Sequence, residues 1–262
     1  MSICKHSLAT IVAILSLIFI LTPYISASPK KKIELVKEEL IGYFNPLEGK
    51  ITSVDKGEVT INIGEQNGVK RGMRFLTFKI GEPFYHPVTG EQLGNVEIKT
   101  GCIEVLDVFG DHAVAKILDG SPSVDDIVRI SSGKIKIAFF QKPNADWRVA
   151  ESLYKLLKNS GRFELLDAYV PSYDPHVLTK ISSKLGAEAF ILLSTKREGD
   201  NIEMSVKVFY ASNGSELVDI KKVINPYEEG LVSDREIICM EGDVEEPWSY
   251  YKLPLNCQIS YS

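Results

Sequence analysis

The stretch that decides how this chain folds is INIGEQNGVKRGMRF, Ile61 to Phe75, in which Gly64, Gly68 and Gly72 recur at every fourth position and Lys70 and Arg71 lie between the last two. Glycine serves equally in a phosphate loop, in a helix seam and in a strand turn, so the neighbours settle the matter. A phosphate loop of the Walker type needs G-x-x-x-x-G-K-[ST] between a strand and a helix. Here the glycines stand one residue too close, no Lys-Ser/Thr pair is present, and MRFLTFKI downstream has strand character. A glycine helix seam needs an apolar helix, which Glu65, Gln66, Asn67, Lys70 and Arg71 deny. The stretch therefore reads as a diverging turn: a strand up to Ile63, a compact bend that presents Val69 to the core, and a new strand from Met73. Gly64, Gly68 and Gly72 are its structural residues, and Lys70 and Arg71 read as solvated.

Outward from this turn, 49–132 consists of short alternating runs. KITSV and EVTINI flank Asp55-Lys56-Gly57 as a hairpin, RFLTFKI follows, and VEIKTGCIEVLDVF, HAVAKIL and DDIVRI complete five or six strands. This is the signature of a small all-β barrel or sandwich. EPFYHPVTGEQLG, with two prolines and Thr-Gly, reads as a loop, and Phe84, Tyr85 and His86 on it form the candidate recognition loop.

From Gly133 the pattern becomes β-α-β-α-β. KIKIAFFQ is a strand and DWRVAESLYKLLKNSGRF an amphipathic helix with Trp147, Ala150, Leu153, Leu156 and Leu157 on one stripe, capped by Asn144 or Asp146. FELLDA, the helix PHVLTKISSKLGA and the buried strand EAFILLST follow, and IEMSVKVFY and SELVDIKKVI form a hairpin around Asn213-Gly214. The expected class is α+β: a small β-barrel domain (49–132), then a three-layer-type α/β domain with a mixed sheet (133–225). Ahead of them 28–48 reads as a leading helix or linker with apolar Ile33, Val36, Leu40 and Phe44. Behind them 226–262 reads as an irregular acidic tail, loosely packed.

Residues 1–27 carry Lys5 and His6 ahead of an apolar run from Leu8 to Leu21, then Pro23 and small residues. This is the layout of a secretory signal peptide, with cleavage after Ala27. The run is too short for a membrane span. A periplasmic or secreted location follows, with no stable span after processing. In an oxidising compartment Cys239 and Cys257 are the candidate disulfide, whereas Cys102 reads as a small hydrophobe in an apolar run.

The 262 residues carry 44% hydrophobic and 25% charged side chains and a net charge of −5, which gives no basic surface for nucleic acid. The scattered histidines, the absence of a G-x-S-x-G elbow, CxxC spacing or metal-ligand spacing, and adjacent rather than convergent carboxylates give no catalytic, cofactor or metal residues. The loop KPNAD after the first α/β strand lacks the glycines of a nucleotide site. A small-ligand crevice at the carboxyl ends of the parallel strands is the alternative use of the second domain, and a hydrolase the third.

The residues Gly57 to Gly94, with V-x-I-x-x-G-x-x-x-G-V-x-x-G-x-x-F and P-V-T-G-x-x-L-G, resemble the C-terminal domain of flagellar assembly protein T. The second domain, with IAFF, SGRFELLD and KLGAEAFILLS, is similar to the TolB amino-terminal type of α/β domain. The order of the two modules is the reverse of the flagellar family's. The resemblance implies a non-enzymatic periplasmic scaffold with other envelope or flagellar basal-body proteins as partners, possible also as a homo-oligomeric ring, or else an envelope adaptor built from the same modules.

Overall fold

The computed structural model describes residues 31–231. The cleavage site at Ala27 and the Cys239–Cys257 bridge lie outside them. Six strands, β1 (Glu48–Asp55), β2 (Glu58–Ile61), β3 (Arg74–Tyr85), β4 (Gln92–Val108), β5 (Ala113–Gly120) and β6 (Ile127–Arg129), pair in the order β1-β2-β5-β4-β3-β6. β6 pairs with both β3 and β1, which closes the sheet on itself as a barrel. All of these pairings are antiparallel. Alternation places Ile51, Val59, Ile61, Phe75, Ile103, Val105, Ala113, Ala115 and Val128 inside, where they form one buried cluster with Val69 and Met73.

The second sheet runs β11-β10-β9-β7-β8, from β7 (Ile135–Gln141), β8 (Phe163–Leu166), β9 (Ala189–Glu198), β10 (Asn201–Tyr210) and β11 (Glu216–Ile224). β7 is parallel to β8 and β9, and β9, β10 and β11 are antiparallel, so the sheet is mixed. Helices α1 (Lys32–Gly42) and α2 (Trp147–Asn159) cover one face, and α3 (Pro175–Lys184) covers part of the other. Ala189 to Leu193 is an unbroken buried run because β9 is covered on both sides. β10 alternates instead from Ile202 to Lys207, with Ile202, Met204 and Val206 buried and Glu203, Ser205 and Lys207 between them, and is continuously buried only at Val208–Tyr210, where Phe209 joins the cluster that holds Leu178 of α3.

The segment 28–48 supplies a helix, and that helix is part of the α/β core. Ile33, Val36, Leu40 and Phe44 pack with Val149, Leu153 and Leu157 of α2. Its N-terminus carries no local side-chain cap; Glu229 accepts hydrogen bonds from the Lys32 and Ile33 amides at 2.7 and 3.4 Å. A carboxylate against the positive end of a helix is favourable. The start of the tail, Pro226–Leu231, is thus anchored rather than loose, with Glu229 buried. Asp146 caps α2 by accepting from the Arg148 amide. Trp147 does not join the buried stripe and is 61% exposed, because it sits at the first position of the helix, off the face that Val149 shares with Leu153 and Leu157.

The glycine turn is built as a strand turn around a short 3-10 segment, Glu65–Asn67, with Val69 buried. Gly68 and Gly72 take the left-handed conformation at φ 86° and 83°, whereas Gly64 is extended and is needed for space. A Cβ on Gly64 would collide with the Phe109 carbonyl and stand 2.6 Å from the His112 amide nitrogen. Gly64→Ala should therefore cost about 2–4 kcal/mol by overpacking, and Gly68→Ala, which meets open space, about 1 kcal/mol of backbone strain. Urea unfolding of the two variants checks that order.

The same turn also joins the barrel to the α/β domain. The Tyr210 hydroxyl donates to the Gly72 carbonyl at 2.9 Å, and the Arg74 guanidinium lies 3.7 Å over the Tyr210 ring. Arg74 also donates to Ser212, Asn213 and Ser215 at the tip of the β10–β11 hairpin and to Glu104 of β4. Lys70 is not simply solvated: its ammonium stands 4.4 Å over the Tyr43 ring. Burial raises the Glu104 carboxyl, but hydrogen bonds from Lys116 and Arg74 outweigh it and hold the group below its usual 4.5. A carboxylate depressed on folding contributes stability above its unfolded pKa, and that contribution is lost as the pH falls. The melting-temperature gap between wild type and Arg74→Met is expected to be widest near neutrality and to narrow below pH 4.5, as followed by circular dichroism.

Candidate functional site

β3 and β4 are the longest strands, at 12 and 17 residues, and they outrun the barrel that holds them. They pair with each other from Arg74↔Glu104 to Tyr85↔Gln92. β6 accompanies β3 only at Leu76–Phe78, and β5 accompanies β4 only from Gly101 to Val108. From Lys79 and Lys99 outward the hairpin is therefore a two-stranded ribbon, and no described strand pairs with either of its outer edges.

Sequence reasoning took Glu82–Gly94 as a loop, and the structure corrects this. Phe84 and Tyr85 are strand residues, and the turn proper is His86–Glu91. The prolines misled because each sits where no ladder amide is needed: Pro83 on a strand with a free edge and Pro87 in the turn. The His86 amide donates to the Glu91 carbonyl, and the Gly90 amide to the His86 carbonyl. His86 Nδ1 accepts from the Val88 and Thr89 amides at 3.3 and 3.1 Å. His86 is thus occupied in holding its own turn, and the residues it leaves for recognition are Phe84 and Tyr85.

The ribbon is apolar to an extent that its exposure does not explain. Ile80, Phe84, Tyr85, Val88, Leu93, Val96 and Ile98 are between 41 and 87% exposed. Phe84 leans over Gly94, whose Cβ would lie 3.5 Å from its ring. At the root, Arg129 of β6 donates to Glu97 through both terminal nitrogens at 2.9 Å and to Glu48 at 2.6 Å. The hydrogen bond from Arg129 holds the Glu97 carboxyl below its ordinary value. This fork fixes the base of the ribbon to the barrel and leaves the tip as the free part.

The other candidates do not converge on a reacting centre. His112 stacks on Phe109 at 4.6 Å and bonds Asp111, His176 begins α3, and His86 lies in the ribbon turn. Among the described residues no group of His, Cys, Asp and Glu is placed to hold a metal. The carboxyl ends of β7 and β9 are filled by the chain's own loop: Asn144 donates to the Thr195 carbonyl and the Asp146 amide to the Thr195 hydroxyl. The adjoining open sheet face forms a depression of about 330 Å³ in which Lys207 and Lys221 are already paired with Glu216 and Asp219. Cys102 is half-buried in β4 with a free thiol that burial pushes up in pKa. Among the described residues no helix is long and apolar enough to cross a membrane.

No protein-family model and no curated protein matches the chain. Among solved structures it is similar to the LpoB C-terminal domain from Salmonella enterica, at 13% identity and a TM-score of 0.31, over 37% of this chain and 85% of that one. It is similar also to the lipoprotein GNA1162 from Neisseria meningitidis, at 16% identity and a TM-score of 0.30, over 40% of this chain and 88% of that one. Likenesses at this level do not bear on what the chain does.

Proposed function

We propose that the protein is a non-catalytic adaptor of the cell envelope that works by protein–protein contact, with the β3–β4 ribbon as its contact surface. The observation that carries this is the row of seven exposed apolar side chains on a two-stranded ribbon whose edges are both unpaired. Exposed apolar surface of that kind marks interaction sites, and unpaired strand edges receive added strands. The barrel and the α/β domain serve as a base, joined through Arg74, Tyr210 and Gly72. The leader-like residues 1–27 support the envelope setting. The resemblance of Gly57–Gly94 to the flagellar family favours the basal-body ring as one place of action, which a motility assay of a deletion strain separates from a general envelope role. The test of the adaptor reading is capture of envelope partners by the wild type and by a Phe84→Ser, Tyr85→Ser variant: a partner retained equally by both removes the ribbon from the account.

A further inference from the structure

The turn that closes the ribbon is held by a titratable ring. From His86 to Glu91 every backbone amide has an acceptor inside the turn, and Pro87 has no amide to place. The His86 amide donates to the Glu91 carbonyl, the Gly90 amide to the His86 carbonyl and the Glu91 amide to the Thr89 hydroxyl. The other two, those of Val88 and Thr89, both donate to His86 Nδ1, at 3.3 and 3.1 Å. An amide nitrogen only donates, so Nδ1 presents its lone pair and the ring in this turn is the neutral imidazole. The imidazolium carries a hydrogen on each nitrogen. Turning that ring over brings a carbon to the two amides, which is no acceptor either. The closed turn and the protonated ring therefore exclude each other.

What the turn holds follows from the isolation of the ribbon. The last pairs, Phe84↔Gly94 and Tyr85↔Gln92, have no flanking strand among the described residues, and a two-stranded hairpin on its own is marginal in water. The pairing already slips between Phe84 and Tyr85, so the end of the ribbon depends on its turn. Between Gly81 and Asn95 the charged side chains are Glu82 of β3 and Glu91 of the turn, both exposed. Among the described residues neither forms an ion pair with the His86 ring, whereas His112 is paired with Asp111. The cations of the ribbon, Lys79 and Lys99, stand where it leaves the barrel.

Resting on the reading of the ribbon as a contact surface, we propose that His86 is an acid-sensitive clasp on that surface. Neutral, the ring closes the turn and keeps Phe84 and Tyr85 in place. Protonated, it drops the Val88 and Thr89 amides, the last pairs open, and the bound partner is released. Imidazole is the side chain that gains its charge between about pH 8 and pH 5, so the adaptor holds its partner near neutrality and lets go in mild acid.

The test uses the full chain as the cell processes it, followed by nuclear magnetic resonance from about pH 8 to about pH 5. The Val88 and Thr89 amide signals are expected to move with the His86 ring signals in one titration. Their protection from exchange, corrected for the pH dependence of exchange itself, should fall roughly tenfold, and capture of envelope partners should fall by a similar factor. The Phe78 and Lys99 amides at the root should not respond. His86→Asn puts an oxygen where Nδ1 stood, which accepts from amides two and three residues on but takes up no proton in this range. Its turn should stay closed, and its capture, whatever the level near neutrality, should not change with pH. Amides that ignore the titration of the ring, or a His86→Asn variant that loses its partner in acid as the wild type does, overturn the proposal. Capture near neutrality that Phe84→Ser, Tyr85→Ser leaves unchanged removes the contact reading and the clasp with it. Capture that those changes abolish, with amides that ignore the ring, removes the clasp alone.

Discussion

Arg162→Met is expected to lower the stability of the protein by about 3 kcal/mol. Arg162 is almost fully buried just after α2, and its guanidinium donates to three main-chain carbonyls: Phe44 at 2.6 Å, Ser131 at 2.6 Å, and Gly133. These acceptors belong to the segment that leaves α1 and to the connection between β6 and β7, where the chain passes from the barrel to the α/β domain. Methionine fills much of the volume but donates nothing, so three carbonyls lose their donor in a site with little access to water. Burial lowers the Arg162 pKa, because the guanidinium has lost most of its contact with water. Arg162→Lys should recover less than half of the loss, since one ammonium cannot reach three carbonyls set for a planar fork. Equilibrium denaturation measures both; a loss under 1 kcal/mol for Arg162→Met would remove Arg162 as the tie between the two domains.

The Phe84→Ser, Tyr85→Ser variant is expected to show the opposite profile: a large loss of binding with little change in folding. Both rings are about half exposed, so their removal should move stability by no more than about 1 kcal/mol in total, part of it from uncovering Gly94. Aromatic side chains that become buried at a contact are worth about 2 kcal/mol or more each. At 1.4 kcal/mol per tenfold, losing even one of them lowers the amount of co-purifying partner by roughly 30-fold. Quantitative mass spectrometry of captured proteins, with melting of the same variants, separates this from general unfolding.

Those two regions mark where the sequence was legible. The period-two alternation of Val59, Ile61 and Ile63 and the covered run of β9 are local signals, and strands form there, although β2 ends at Ile61 and Ile63 is buried beyond it. The Asn213-Gly214 hairpin and the Asp146 cap are local too, and both are present. What the sequence hid depends on distance along the chain. Glu229 caps a helix 197 residues away, and Arg162 reaches Phe44 across 118. The glycine turn was read correctly as a turn, but its grip on Tyr210 joins positions 138 residues apart. The ribbon was hidden for a different reason. Proline and glycine density is an average indicator of loops, and here the prolines occupy the two kinds of position a hairpin tolerates. The run from Val96 was legible as a strand by its alternation; what the proline- and glycine-rich stretch hid is that β4 begins at Gln92 and that β3 continues to Tyr85.

The account stands on the ribbon being the surface through which this protein acts. The direct measurement is a photo-cross-linking scan in the native cell, with the reactive side chain placed in turn at Tyr85, Val88 and Leu93 on the ribbon, and at Lys180 on α3 and Glu203 on the open sheet face. Discrete adducts from the three ribbon positions, and none from Lys180 or Glu203, are the predicted result. Adducts from the sheet face with a silent ribbon would contradict it, and would move the site of action to the α/β domain.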